Sequence, residues 1–156
     1  LSEAIAGPLY AYLAGRGRDS RGRSAADVLG WTDQQLEDTH DYIQWLFPLA
    51  IRSGAQPDAP VLTPAEIQAI RSDPRATGTL EQATDRMLQF YRNTPWWLTW
   101  QDHNHLRITR IIRSLNLLVG LETARRFHAD ILALHEAAGA PVNARSLRFW
   151  LEAAGS

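Results

Sequence analysis

The sequence predicts an all-α protein, a single-domain helical bundle of seven or eight helices over residues 1–156. Three observations predict it. Ser, Thr and Asn recur as helix caps, several with an acidic or amide side chain three residues on. Gly and Pro punctuate the ends of the periodic stretches. Signals for β-strands are thin throughout.

Each element has its own justification. "PLYAYLAG" opens at Pro8 and closes at Gly15. "GRGRDSRGR", with three Gly and four Arg, is a loop whose glycines would also permit an anion-binding nest. In "SAADVLG", Ser24 and Asp27 form a capping pattern and Gly30 is the stop. Thr32 with Gln35 caps the next helix, expected to run unbroken to Leu46 and to meet Pro48. "IRSGAQPDAPV" is a loop. "LTPAEIQAIRSDP" is the clearest start: Thr63 caps, Pro64 takes the first helical position, Glu66 closes the box and Pro74 ends the helix. A longer helix follows from Thr79 to Arg92, and Pro95 breaks before "PWWLTW". Asp102 or Asn104 caps a helix to Leu118, with Gly120 beyond it. Another spans Glu122 to Ala138, and Asn143 caps a last one to Ala153.

Composition narrows the function. A chain of 156 residues can bury one real core. A net charge of -1 argues against a nucleic-acid coat or a membrane-surface protein. The longest apolar run, "LNLLVGL", falls far short of the roughly 20 residues of a membrane span. No nucleic-acid partner and no span are therefore expected, and a cytoplasmic home is the default. No signal-peptide pattern is visible; the first residue is not Met, so the start reads as trimmed. With no cysteine, disulfides, thiol nucleophiles and thiolate metal sites are impossible. All 16 basic residues are Arg, which removes Schiff-base chemistry and suggests a GC-rich, bacterial genome.

Two stretches carry the candidate site. In "LEDTHDYIQWLFPL", Leu36, His40, Ile43 and Phe47 fall on one helical stripe, which points His40 at or near the core. Glu37, Asp41 and Gln44 form the next stripe, beside Tyr42 and Trp45. The alternatives are a central helix with a hydrogen-bonded histidine, or a pocket wall carrying His40 and Asp41. In "WQDHNHLRITRIIRSL", Ile108, Ile111, Ile112 and Leu115 make the core face, while His103, Arg107, Arg110 and Ser114 line a polar stripe that begins shortly after Trp100, with Asn104 beside His103. Those arginines either pair with carboxylates on a solvated face or turn inward to grip a carboxylate or phosphate. His128 and His135, two turns apart, read as core or half-exposed, and no single metal could reach both. No P-loop, zinc-protease or nucleophile-elbow pattern is present.

These two stretches, with "APVLTPAEI" and "FYRN" between them, resemble the conserved domain of the opioid growth factor receptor family over roughly Pro8 to Leu118. The resemblance implies a non-classical receptor, nuclear or perinuclear in animals, that binds a short opioid peptide; it implies no catalytic residue. Where animal members carry an amide, this chain has His105.

The expected function is a helical domain binding a small amphipathic or peptide-like ligand through Glu37, His40, Asp41, Gln44, Trp45, Trp100, His103, Asn104, Arg107 and Arg110. Arg107 or Arg110 would hold a carboxylate, Glu37 or Asp41 an amine, and the Trp rings an apolar group. His40 and His103 are expected on the walls of one cavity. The alternative is an enzyme in which His40 and His103, with Asp41 or Asp102, do acid–base work or hold a metal. No cofactor is expected on the first reading, and a metal or haem stays open on the second.

Overall fold

A computed structural model describes residues 7–155 of the chain. Among them are nine helices and no strand: α1 Pro8–Leu13, α2 Ala25–Leu29, α3 Asp33–Asp38, α4 Ile43–Leu46, α5 Pro64–Ser72, α6 Pro74–Asn93, α7 Asn104–Leu118, α8 Leu121–Ala137 and α9 Ala144–Ala153. The fold is all-α. None of the described helices is long and apolar enough to cross a membrane. The chain divides into two compact units, with the boundary after Ala83, inside α6.

The first unit is built on α1, which packs on α4 and α5. Leu9, Tyr12 and Leu13 of α1 are buried, as are Leu36, Ile43, Leu46, Phe47 and Ile70. Three predicted caps form. Ser24 accepts from the Asp27 N–H and Asp27 returns the bond, and Thr32 and Gln35 do the same. Thr63 accepts from the Glu66 N–H.

Glu66 departs from the expected box. Its side chain is buried, and Oε2 accepts from the backbone N–H groups of Leu9 at 2.9 Å and Tyr10 at 3.0 Å. The carboxylate thus caps a different helix from its own, satisfying two donors at the start of α1 that have no partner within the helix. Gly7 makes this possible. Its φ is +88°, and a Cβ there would lie 2.6 Å from Glu66 Cδ. Pro74 ends α5 as predicted but also opens α6, so that helix begins five residues before Thr79. Asp73 starts it by accepting from the Arg75 N–H at 2.9 Å. Hydrogen bonds from Arg75, then from Tyr10, hold the Asp73 carboxyl well below the usual carboxylate range.

The helix expected from Thr32 to Leu46 is two helices. α3 stops at Asp38, Thr39 is extended at φ -98°, ψ 131°, and α4 restarts at Ile43. The stripe from Leu36 to Phe47 therefore does not exist as one face, and His40 is exposed rather than turned to the core. The Tyr42 hydroxyl donates to the Leu36 carbonyl at 2.7 Å, so a side chain takes up an acceptor that a longer helix would have satisfied.

In the second unit α7 packs on α8 and α9. Ile108, Ile111, Ile112 and Leu115 form its buried face, as the spacing predicts. Of the aromatic run, Trp97 is buried and donates from Nε1 to the Tyr91 carbonyl at 2.9 Å, while Trp96 and Trp100 are exposed. His105 is buried beside Trp150, with Nε2 2.8 Å from the Trp97 carbonyl. A carbonyl only accepts, so Nε2 is the donor of this bond.

Two predictions follow from burial. Glu66→Ala leaves two N–H groups unsatisfied and is expected to cost about 2–4 kcal/mol in urea unfolding, against the ordinary cost of hydrogen bonds to a charged acceptor; a loss under about 0.5 kcal/mol would show that the cap is not structural. Burial lowers the pKa of His128 and of His135. The unfolded chain then binds protons more readily, so this contribution to stability is complete above about pH 6.5 and is lost as pH falls from there through the lowered folded values. Urea midpoints at about pH 7.5 and about pH 5.5 should differ in that sense, and less so once both histidines are replaced by Gln. An unchanged difference would assign the acid sensitivity elsewhere.

Candidate functional site

The site in the first unit starts from the glycine- and arginine-rich loop. The Asp19 side chain is completely buried. Its Oδ1 accepts from the backbone N–H of Arg21 at 2.9 Å and of Arg23 at 3.0 Å. Its Oδ2 accepts from Arg23 Nε at 2.7 Å. The Gly22 N–H closes the turn on the Asp19 carbonyl at 3.0 Å, and Gly22 holds φ at +79°, where a side chain would strain the backbone. An aspartate bonding to amides two and four residues ahead is a local device for fixing a loop.

Arg23 carries the restraint outward. Its Nη2 donates to Asp41 Oδ1 at 3.0 Å, and its guanidinium lies 5.1 Å from the centre of the Trp31 ring. Trp31 meets Tyr42 edge-on. Burial disfavours the Arg23 charge, but the hydrogen bonds to Asp19 and Asp41 outweigh it and raise its pKa. Arg21 approaches the other Asp41 oxygen, with Nε 3.7 Å from Oδ2, and its side chain is 70% exposed. One carboxylate thus gathers two guanidiniums.

Around them lies a solvent-open cleft of about 450 Å³, lined by Arg21, Arg23, Asp38, Thr39, His40, Asp41 and Gln56. Of the residues expected at the site, His40 and Asp41 line it. Gln44 and Trp45 are buried, Trp45 against the Tyr12 ring at 5.4 Å. Glu37, on α3, is half-buried. Arg21, Arg23, Asp38, Thr39 and Gln56 were not expected as lining. For Arg21 and Arg23 the Gly/Arg-rich loop was the signal, since it allowed an anion nest, but the carboxylate that organises it comes from within the loop.

The second unit holds the remaining candidates. Asn104 and Arg107 are buried, and Arg107 Nη1 donates to Asn104 Oδ1 at 3.3 Å. The Tyr91 hydroxyl donates to the same oxygen at 3.3 Å. Asp102 Oδ2 accepts from both the backbone and side-chain nitrogens of Asn104 at 2.9 Å. His103 is exposed, with Nδ1 3.7 Å from Asp102 Oδ1. Burial, then the neighbouring Arg113 charge, push the half-buried Arg110 guanidinium down to about 10. Trp100 is 69% exposed, and its carbonyl accepts from Asn143 Nδ2 at 2.6 Å.

The family model for the opioid growth factor receptor (OGFr) conserved region matches residues 29–94. This chain carries that conserved region. Over 117 residues it is 40% identical to the human opioid growth factor receptor, covering 62% of this chain and 17% of the receptor. The mouse receptor is also 40% identical over 117 residues, with 18% of its length covered. The rat opioid growth factor receptor-like protein 1 is 35% identical over 121 residues, covering 67% of this chain and 25% of that protein. The chain thus spans a quarter or less of these relatives. No solved structure gives a significant match. Within the OGFr region lie Asp38, Thr39, His40, Asp41 and Gln56 of the cleft, whereas Arg21 and Arg23 precede it.

If Asp19 fixes the loop, Asp19→Asn weakens the charge-assisted bonds to Arg21 and Arg23. Hydrogen exchange at the Arg23 amide should then accelerate by roughly tenfold or more, while α8 amides are unchanged. Equal exchange in parent and variant would show that the loop is ordered by something else.

Proposed function

We propose that this chain is a ligand-binding domain that takes a small amphipathic or peptide-like molecule in the cleft of the first unit. The observation that carries the reading is a concave surface bearing charges of both signs, Arg21 and Arg23 with Asp38 and Asp41, beside the exposed imidazole of His40. Small molecules with charged ends are oriented by such placed polar groups. The receptor names of the relatives supply the second support.

Catalysis by His40 with Asp41 is less well supported. A carboxylate that orients a catalytic imidazole must bond to it. Both Asp41 oxygens face arginines instead. The same pairing makes Asp41 an anchor of the loop rather than a receiver for a ligand amine. Arg107, buried and bonded to Asn104, is tied into its own unit in the same way.

The test is calorimetric titration with short peptides that contain one aromatic residue. Saturable binding is expected, and His40→Ala should weaken it by about tenfold, the scale of one lost polar contact, with the melting temperature unchanged because the side chain is exposed. Arg107→Lys should instead lower stability and leave binding intact. No saturable binding, or binding indifferent to His40→Ala, would sink the reading. Loss of binding in Arg107→Lys at full stability would move the ligand to the second unit.

A further inference from the structure

The cleft has a sharper chemical signature than a general polar surface. Arg23 uses Nε on Asp19 and Nη2 on Asp41, and Arg21 brings only its Nε near Asp41. Arg23 Nη1 and both terminal nitrogens of Arg21 have no hydrogen bond among the described residues. Arg23 is held by two carboxylates and a Trp ring, so its remaining donors are presented in a fixed direction. Ordering these donors costs little at the moment of binding, because the protein has already ordered them.

The charges on the lining decide which anion fits. Arg21 and Arg23 contribute two positive charges, Asp38 and Asp41 on the lining contribute two negative ones, and Asp19, buried behind Arg23, adds a third. A phosphate dianion would meet two carboxylates at close range. A carboxylate carries half that charge and matches the planar guanidinium fork. Asp38 accepts at Oδ2 from Gln34 Nε2 at 2.9 Å, and Oδ1 has no hydrogen bond among the described residues. It can receive a donor carried next to the ligand's carboxylate.

We propose that the Arg21–Arg23 cleft is a carboxylate-binding site for small acids bearing an adjoining ammonium or hydroxyl group. Arg23 and Arg21 hold the carboxylate, and Asp38 holds the adjoining donor. The inference rests on the reading above in taking this cleft as the ligand site, and it names the polar end of that ligand.

The experiment titrates the full chain with glycine, acetate and inorganic phosphate at one ionic strength, following the Nε–Hε resonances of Arg21 and Arg23 by NMR. Saturable shifts at both arginines are expected with glycine, several-fold weaker with acetate and weakest with phosphate. Arg21→Lys should weaken glycine binding at least about fivefold without changing the melting temperature, because Lys lacks the bidentate fork. Asp38→Asn should erase the preference for glycine over acetate, and Arg126→Lys on α8 should change nothing. The inference is overturned if glycine does not saturate, if phosphate binds tightest, or if Arg21→Lys binds like the parent. Saturation by glycine with no binding of aromatic peptides would refute the peptide-like reading alone. Peptide binding that ignores Arg21→Lys would refute the carboxylate site alone.

Discussion

The Asp19 carboxylate is the constraint on which the first unit's surface depends. A buried, ionised carboxylate is costly unless its oxygens are fully engaged. Here three donors engage it, two backbone amides and one guanidinium. The amides turn the chain at Gly22, and the guanidinium points Arg23 toward Asp41. Removing the charge would release both ends at once. The loop is rich in Gly and Arg, a composition that alone favours many conformations and mutual repulsion. Asp19 is what selects one of them. The same charge, after burial, helps to push the Tyr12 phenol far above its usual pKa, so the hydroxyl stays neutral in the core beside the loop.

Asp41 is the second fixed point, and its position explains the break after α3. Had the helix continued, residues 39–42 would have helical geometry and Asp41 would follow the helix face. Instead Thr39 is extended, Asp41 reaches Arg23 from eighteen positions away, and Tyr42 turns in to bond the Leu36 carbonyl. The break needs no Gly or Pro. A long-range ion pair at Asp41 and a local hydroxyl–carbonyl bond at Tyr42 outweigh a helical continuation that local propensity permits. His40, just before those two residues, is left on the surface at the cleft rim.

Legibility followed the range of the interactions. Ser24, Thr32, Thr63 and Asn143 cap their helices as read, because a cap bonds three residues ahead within one segment. The isoleucine face of α7 was equally legible, since helical periodicity is local. Two features were not. Glu66 sits in a capping-box position but bonds Leu9 and Tyr10, 57 and 56 residues away, where the open N–H groups of α1 compete successfully for it. The stripe from Leu36 to Phe47 kept helical period without being one helix, since nothing in that segment announces that Asp41 pairs with Arg23. The candidate site was legible at His40 and Asp41 and incomplete at Arg21 and Arg23. Their loop was visible as a loop, but its ordering depends on one aspartate that composition presents as just another charge.

The two polar blocks differ in physical kind, and this decides which of them is the better ligand surface. In the second unit Asn104 is wholly buried; its amide donates to Asp102 and its carbonyl accepts from Tyr91 and Arg107. Each member satisfies another, which is the condition for a buried polar network to rigidify a core. Bringing a ligand to Arg107 would mean breaking that network first. In the first unit the network is satisfied inward, at Asp19, and left open outward, at the terminal nitrogens of Arg21 and Arg23. A surface of that kind keeps its ordering bonds when a ligand arrives, because the bonds that order it and the bonds it offers are made by different atoms. Arg107 of α7 is therefore part of the second unit's buried network, whereas Arg21 and Arg23 of the early loop turn their terminal nitrogens to the cleft, as the proposed carboxylate site requires.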